Sequence, residues 1–394
     1  MSTEQLIEMA RHNLAHSRAG TIDQTDKVLQ VPARHYYDQD RWRLEIDRVF
    51  KRVPLMLAMT SELPKPGDYK AMEAVGFPIL LSRSDEGQVH AFVNMCSHRG
   101  SQVMLNGKGN TNRFTCPYHA WSYDQQGDLV NIYAPKDFGD VDKSCHGLTK
   151  LPVIERAGLI WVTLNPQSTL DMNNFLCGYD AMLSHFGFEN WHFFESRTIK
   201  GPNWKIAYDG YLDLYHLPIL HKNTFGSTMP NQALYNSWGP HQRASSPDPS
   251  LAKLENDDPQ TWPVDTLMNG VWTIFPHVSI ASFYGGGRSV MISQLFPGPT
   301  PGESYTVQNY LMADEPDESQ KEQAREQFKL LEYVVQEEDY ATGLRQQQAL
   351  RTGAKQHVMF GRNEGGGQRF HSWLNQIIAA DDRELNELFV LNLS

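Results

Sequence analysis

Cysteine is scarce, with four in 394 residues. That is too few for a disulfide framework, so stability has to come from a buried apolar core, for which the chain has ample length. No apolar run approaches the ~18–20 residues of a membrane-spanning helix, and residues 1–20 lack the apolar stretch of a secretory leader. Positive charge is outnumbered, 35 Lys and Arg against 46 Asp and Glu, for a net charge of −11. With no basic stripe to offset it, a nucleic-acid partner is excluded. The triplet Gly285-Gly286-Gly287 joins two strand-like runs and no Lys-Ser/Thr follows it, so it reads as a hairpin turn and not as a phosphate loop. No nicotinamide or flavin fingerprint and no internal repeat occur. These absences leave a cytoplasmic globular protein of two or three domains that touches neither membrane nor nucleic acid.

What is present is concentrated in two stretches. The first runs Asn94-Met95-Cys96-Ser97-His98-Arg99-Gly100 and then Cys116-Pro117-Tyr118-His119-Ala120-Trp121-Ser122-Tyr123, that is Cys-x-His and Cys-x-x-His with seventeen residues between them. Two thiolates and two imidazoles in paired short spacings suit a metal, each pair on a loop that Gly100 or Pro117 helps to turn. The four ligands fit a structural zinc. They fit equally a [2Fe-2S] cluster with the cysteines on one iron and the histidines on the other.

The second stretch is Asn203 to His221, which contains Asp213, His216 and His221. Asp213 and His216, three apart, would share a helix face. His216 and His221 converge only if the helix breaks, and Pro218 between them supplies a reason for a break. Two imidazoles and one carboxylate with open positions form the facial triad of non-haem Fe(II) oxygenases. The carboxylate could be Asp213 or one from Gln336-Glu337-Glu338-Asp339-Tyr340. On that helix Ala324, Phe328, Leu331 and Val335 form the apolar stripe, Glu338 and Asp339 flank it, and Glu337 points away. An inward carboxylate needs a partner, but periodicity does not choose between the two.

Together these motifs resemble the terminal oxygenase (alpha) subunit of the Rieske non-haem iron oxygenases, the ring-hydroxylating family, over the whole chain from Tyr36 onward. The pattern departs at Ala120, where the family usually has Gly. The resemblance implies a [2Fe-2S] Rieske cluster on Cys96, His98, Cys116 and His119. It implies a mononuclear Fe(II) on His216, His221 and Asp339, with O2 as co-substrate. Asp213 becomes the bridge for electrons, hydrogen-bonded to His216 and to the cluster histidine at the position of His119 in a neighbouring subunit of a homotrimer. A separate reductase or ferredoxin supplies the electrons, so NAD(P)H acts only indirectly, and whether a small beta subunit accompanies the trimer is open. The implied activity is hydroxylation, foremost cis-dihydroxylation, of an aromatic or related ring compound. Monooxygenation or oxidative N- or O-demethylation is the alternative on the same scaffold. A non-catalytic electron-transfer module or a zinc-stabilised binding protein is the remote one. Asn203-Trp204-Lys205 and Phe370-His371-x-Trp373-Leu374 also match family positions. Asp209 stands where the family commonly has Asn, and an extra acid there would repel an anionic substrate, pair with a cationic one, or face solvent.

The fold class that follows is α+β: an all-β Rieske domain in the N-terminal half and a helix-grip catalytic domain whose antiparallel sheet is surrounded by helices. The domains divide as a helical segment 1–40 packing on the catalytic domain, a Rieske domain 41–165 and a catalytic domain 166–394. Periodicity predicts helices over 3–17 and 36–50, then short strands such as Phe77–Leu81 and Val89–Val93 with turns at Asp85–Gly87 and Gln125–Asp128. Helical stretches over 170–186 and a strand Phe193–Ile199 come next. A meander of Trp272–Phe283, Ser289–Phe296 and Tyr305–Met312 follows, then a long helix over 319–350 and a last one over 369–379. The polar, Pro-rich tract Ala244–Asp265 reads as a long loop, a candidate lid. Cys145 and Cys177 read as free thiols. Leu217, Phe225, Phe275, Ile280 and Phe283 are candidate pocket residues and equally good core residues.

Overall fold

The computed structural model describes residues 2–227 and 231–390. The N-terminal half holds three antiparallel sheets. In the largest, strands run in the order Lys150–Leu151, Val89–Val93, Phe77–Arg83, Asp68–Ala74, Gly107–Asn110. The two strands expected at 77–81 and 89–93 are neighbours, with Ile79 opposite Val93. A second sheet joins Val153–Arg156, Leu159–Val162 and Leu55–Met59, and every residue of Leu55–Met59 is buried. A third, of Phe114–Thr115, Ser122–Tyr123 and Leu129–Asn131, carries the second Cys-His loop. The turn after it needs glycine: Gly127 has φ +82, and a Cβ there would lie 2.4 Å from the Phe92 ring.

The C-terminal half is built on a seven-stranded antiparallel sheet. Its order is His192–Gly201, Ser304–Met312, Ser289–Pro297, Val278–Phe283, Val271–Ile274, His241–Ser245, Leu234–Trp238. The expected single strand Trp272–Phe283 is two strands, Val271–Ile274 and Val278–Phe283, because the chain turns between them, with the His277 N–H donating to the Ile274 carbonyl at 3.0 Å. The long helix begins at Glu318 with a capping box of Asp317 and Gln320 and packs Ala324, Phe328 and Leu331 on Met291, Tyr310 and Met312 of the sheet. It continues to Leu350, but Val334–Tyr340 are π-helical. The last helices are Gly365–Ala379 and Asp382–Val390.

The N-terminal helix Ser2–Ala19 buries Leu6, Ile7, Met9, Ala10 and Leu14. It packs on the tract expected to be a long loop. That tract is not a loop: Ala244 and Ser245 end a sheet strand, and the rest folds into short helical turns at Pro249–Leu254, Pro259–Thr261 and Val264–Leu267. Leu251, Trp262 and Leu267 are buried there, so the apolar residues dispersed among its prolines do have a core to enter. Cys145 is exposed, Cys177 is buried, and neither is bonded.

Candidate metal centres

The two Cys-His loops share one hydrogen-bond frame. In the first, the Gly100 N–H donates to the Cys96 carbonyl (2.9 Å) and the Cys96 N–H to the Ser101 carbonyl (2.8 Å). In the second, the Ala120 N–H donates to the Cys116 carbonyl (3.0 Å) and the Cys116 N–H to the Trp121 carbonyl (2.8 Å). Each frame places a residue in the left-handed region, Gly100 at φ +77 and Ala120 at φ +56. Glycine adopts that conformation freely, whereas an L-residue does so at a cost of roughly 1–2 kcal/mol. Asn94 closes the first loop: its Oδ1 accepts from the N–H groups of Val103 (3.0 Å) and Met104 (3.1 Å).

Cys96 and Cys116 are both 2% exposed. Burial first, and then the adjoining Cys116, push the Cys96 thiol up, against a hydrogen bond from Tyr123. The Tyr123 Oη lies 3.2 Å from the Cys96 Sγ and accepts from the Ser97 N–H at 3.0 Å. The His98 and His119 rings meet edge to face, centroids 4.6 Å apart, and His98 stacks on Trp121. The buried Nδ1 of His98 has no hydrogen-bond partner among the described residues. Two adjoining buried thiols, two adjoining imidazoles and one orphaned ring nitrogen are the donor set a [2Fe-2S] cluster takes, sulfur on one iron and nitrogen on the other.

The second centre is organised by carboxylates. Asp213 and His216 lie in a turn between the helix Trp204–Asp209 and the short helix Leu217–Leu220, not on one helix face. Pro218 sits in the first turn of that short helix and so starts it, where a missing N–H costs nothing. Asp213 Oδ1 accepts from the N–H groups of Tyr215 (2.7 Å) and His216 (3.1 Å) and from the His216 Nδ1 (3.0 Å). Glu338 Oε2 accepts from the His221 Nδ1 at 2.7 Å and from the Thr224 hydroxyl at 2.9 Å. A carboxylate only accepts, so each Nδ1 donates to its carboxylate and each ring turns its Nε2 toward Asp339. Asp339 Oδ1 lies 3.8 Å from the His216 Nε2 and 3.2 Å from the His221 Nε2. One ligand atom from each of these three residues falls within 4.8 Å of the others.

Three carboxylates around two imidazoles make a site for positive charge. Burial lowers the affinity of His216 for a proton, but the Asp213 hydrogen bond and the Asp213 and Asp339 charges outweigh it, and the pKa is raised. His221 is likewise lowered by burial and raised more by Asp339 and Glu338. A divalent cation on the two Nε2 atoms and Asp339 answers the same charge, so the residues fit a 2-His-1-carboxylate metal.

The sequence left Glu338 and Asp339 as alternatives, and the structure uses both. The π-helical turn Val334–Tyr340 adds a residue to the turn, so that neighbours in sequence both face His221. The role of Glu338 as partner of a ring nitrogen was missed, although its place beside the apolar stripe was the available signal. Asp209 is half-buried and already partnered within the chain. It accepts from the Tyr36 hydroxyl (2.9 Å) and the His371 Nε2 (3.0 Å). Trp204 and Lys205 both donate to the buried Glu45, at 2.8 and 2.5 Å.

A cavity of about 310 Å³ opens from His216, His221 and Asp339 and is bounded by Leu217, Phe225, Val271, Phe283 and Met291. Small hydroxyls, Ser279 and Ser282 among them, break the apolar lining. Of the five candidate pocket residues, Leu217, Phe225 and Phe283 line it, whereas Phe275 and Ile280 belong to the main core. On the other side of the triad a cleft of about 270 Å³ is lined by Asp209, Asp213, His216, Asp339, Met359 and Glu364. Asp213 borders both.

Residues 53–151 match the model of the Rieske [2Fe-2S] domain, and residues 188–380 match that of the ring hydroxylating alpha subunit (catalytic domain). The chain belongs to the Rieske non-haem iron oxygenases. It is 29% identical over 318 residues to the anthranilate 1,2-dioxygenase large subunit of Acinetobacter baylyi, which covers 77% of this chain and 63% of that subunit. It is 32% identical over 219 residues to the glycine betaine monooxygenase oxygenase subunit of Chromohalobacter salexigens, covering 54% and 48%. The alignments thus span about half to two thirds of these relatives' own length. A quaternary ammonium Rieske monooxygenase in complex with L-carnitine superposes with a TM-score of 0.74 at 19% identity, over 89% of this chain and 96% of that one, which establishes the shared fold. The two domains imply a Rieske cluster and a mononuclear iron working with O2. Among the described residues, no helix is long and apolar enough to cross a membrane.

Proposed function

We propose that the chain is an oxygenase component that receives electrons from a reductase or ferredoxin and hydroxylates a neutral ring compound, aromatic or related. Cys96, His98, Cys116 and His119 hold the cluster in this reading, and His216, His221 and Asp339 hold the iron. When bound, the cluster supplies electrons one at a time and the iron supplies the activation of O2. The chain's own contribution is placement. Asp213 and Glu338 fix the tautomers of His216 and His221, the apolar wall excludes water, and the serine hydroxyls offer hydrogen bonds that orient a substrate.

The observation that carries the substrate class is the charge of the cavity. No Lys or Arg lines it among the described residues; its only charged groups are Asp213 and Asp339. Away from the iron itself a carboxylate substrate would find no cationic side chain to pair with, and its burial there would be costly. Oxidation of a quaternary ammonium N-methyl group is the second reading. The glycine betaine relative and the aromatic rings of Tyr211, Phe225 and Phe283 favour it, because cations bind to aromatic faces. Glycine betaine and carnitine carry carboxylates as well, and that weighs against them here.

Electron transfer between subunits of a trimer is part of the proposal, with Asp213 as bridge. It is supported by Asp213 bordering the second cleft while, among the described residues, its hydrogen bonds run to Tyr215 and His216 of its own turn. Product analysis with ¹⁸O-labelled O2 across a panel of neutral arenes, aromatic acids and betaines tests the reading. Labelled diol from a neutral arene supports it, and turnover confined to the betaines, with formaldehyde released, overturns it.

A further inference from the structure

The N-terminal helix Ser2–Ala19 carries His12 and His16 one turn apart on one face. The helix ends at Gly20, φ +61, and the Thr21 N–H returns to the His16 carbonyl at 3.1 Å. That turn brings Asp23 back beside both rings. The His12 and His16 Nε2 atoms are 3.0 Å apart. Asp23 Oδ1 lies 3.5 Å from the His16 Nε2 and 4.0 Å from the His12 Nε2. Ligand atoms held at ~2.0–2.2 Å by a tetrahedral metal stand about 3.3 Å from one another, and this triangle is close to that size. The triad His216, His221, Asp339 has comparable nitrogen-to-oxygen spacings of 3.8 and 3.2 Å.

The supporting contacts are also in place. The His16 Nδ1 is occupied by the Thr21 hydroxyl at 2.9 Å, which leaves Nε2 for the shared point. The second oxygen of Asp23 accepts from the Tyr235 N–H at 2.8 Å, on the edge strand Leu234–Trp238 of the seven-stranded sheet. Metal-bound histidines and carboxylates are oriented by such contacts. The His12 side chain is 49% exposed, so an ion can reach the site from solvent. We propose that His12, His16 and Asp23 form a third metal site, for a divalent transition metal of the Zn(II) or Ni(II) class, which fastens the N-terminal helix to the edge of the catalytic sheet. Imidazole-rich sites select these ions over Mg(II) and Ca(II), which prefer all-oxygen cages.

Equilibrium dialysis of the cluster- and iron-loaded full chain against Zn(II) tests this, with iron content followed in the same samples so that exchange at His216, His221 and Asp339 is not counted. Wild type should take up one equivalent that His12→Gln, His16→Ala and Asp23→Asn each lose, and Zn(II) should raise the unfolding midpoint of wild type alone. Hydrogen exchange along residues 2–19 should slow on zinc addition in wild type. Equal zinc uptake by wild type and the three variants, or no uptake beyond the iron centres, overturns the site.

Discussion

Glu338→Ala isolates a residue that binds no iron in the proposed arrangement and yet governs one that does. The Glu338 side chain is 12% exposed and His221 only 2% exposed, so water does not readily replace the lost acceptor. Its removal leaves the His221 Nδ1–H buried without a partner, a penalty of roughly 1–3 kcal/mol. It also frees the ring to rotate or to change tautomer, and loss of such a supporting contact weakens metal binding by about 10–100-fold. The two figures agree, since a hundredfold is about 2.7 kcal/mol. Glu338→Gln keeps an oxygen acceptor while dropping the charge, and should fall at or below the tenfold end. Thr224→Val removes only the second contact to the Glu338 carboxylate and should weaken iron binding less than Glu338→Ala does, because the His221 Nδ1–H keeps its acceptor. Iron affinity is read by competition with a calibrated chelator, with the visible spectrum of the cluster as internal control. An alanine variant that holds iron as tightly as wild type refutes the reasoning, because orientation through Nδ1 would then carry no weight.

Other outcomes follow from other parts of the molecule. Asp213→Asn should retain both metals but slow reoxidation of the reduced cluster by substrate and O2 in single-turnover stopped flow; an unchanged rate removes Asp213 from the electron path. Ala120→Gly should stabilise the cluster loop by roughly 1 kcal/mol, since it relieves a left-handed alanine at φ +56, and a lower thermal midpoint contradicts this. His277 is fully buried, its pKa lowered by burial to about 3 from 6.5, and neither ring nitrogen has a partner among the described residues. As the folded pKa is the lower one, the unfolded chain takes up the proton first. Stability should therefore be flat above about pH 6.5 and fall by about 1.4 kcal/mol per unit between the two values. His277→Leu should flatten that slope in urea titrations across the acid range, and an unchanged slope assigns the acid sensitivity to other groups.

Much of the architecture was legible because it depends on short-range patterns. Strand alternation, turn glycines and the apolar stripe of the long helix are local, and the elements appear at the expected places. The misread tract Ala244–Asp265 shows the limit. Its prolines and acids resemble a loop, but its short helical turns pack on the N-terminal helix, more than two hundred residues away in sequence, and Leu251, Trp262 and Leu267 join the main core. Phe275 and Ile280 could not be separated from the pocket candidates for the same reason, since long-range packing decides which of them enters the main core.

The residues expected as iron ligands, His216, His221 and Asp339, come together in the structure, although the family resemblance and not spacing singled out Asp339, and what orients them was not legible. Orientation depends on contacts across the fold, such as Glu338 reaching His221 from a helix over a hundred residues later. The helical period assumed 3.6 residues per turn, and on that assumption Glu338 and Asp339 cannot face the same centre. Wider hydrogen bonding over Val334–Tyr340 removes the conflict. A π-helical turn saves no backbone energy relative to an α-helical one, so its occurrence at the acidic pair is best explained by what the pair does there: Asp339 faces both Nε2 atoms while Glu338 holds the other side of His221. Periodicity could not choose between the two acids because it presumes a regular helix, and the chain departs from one where they stand.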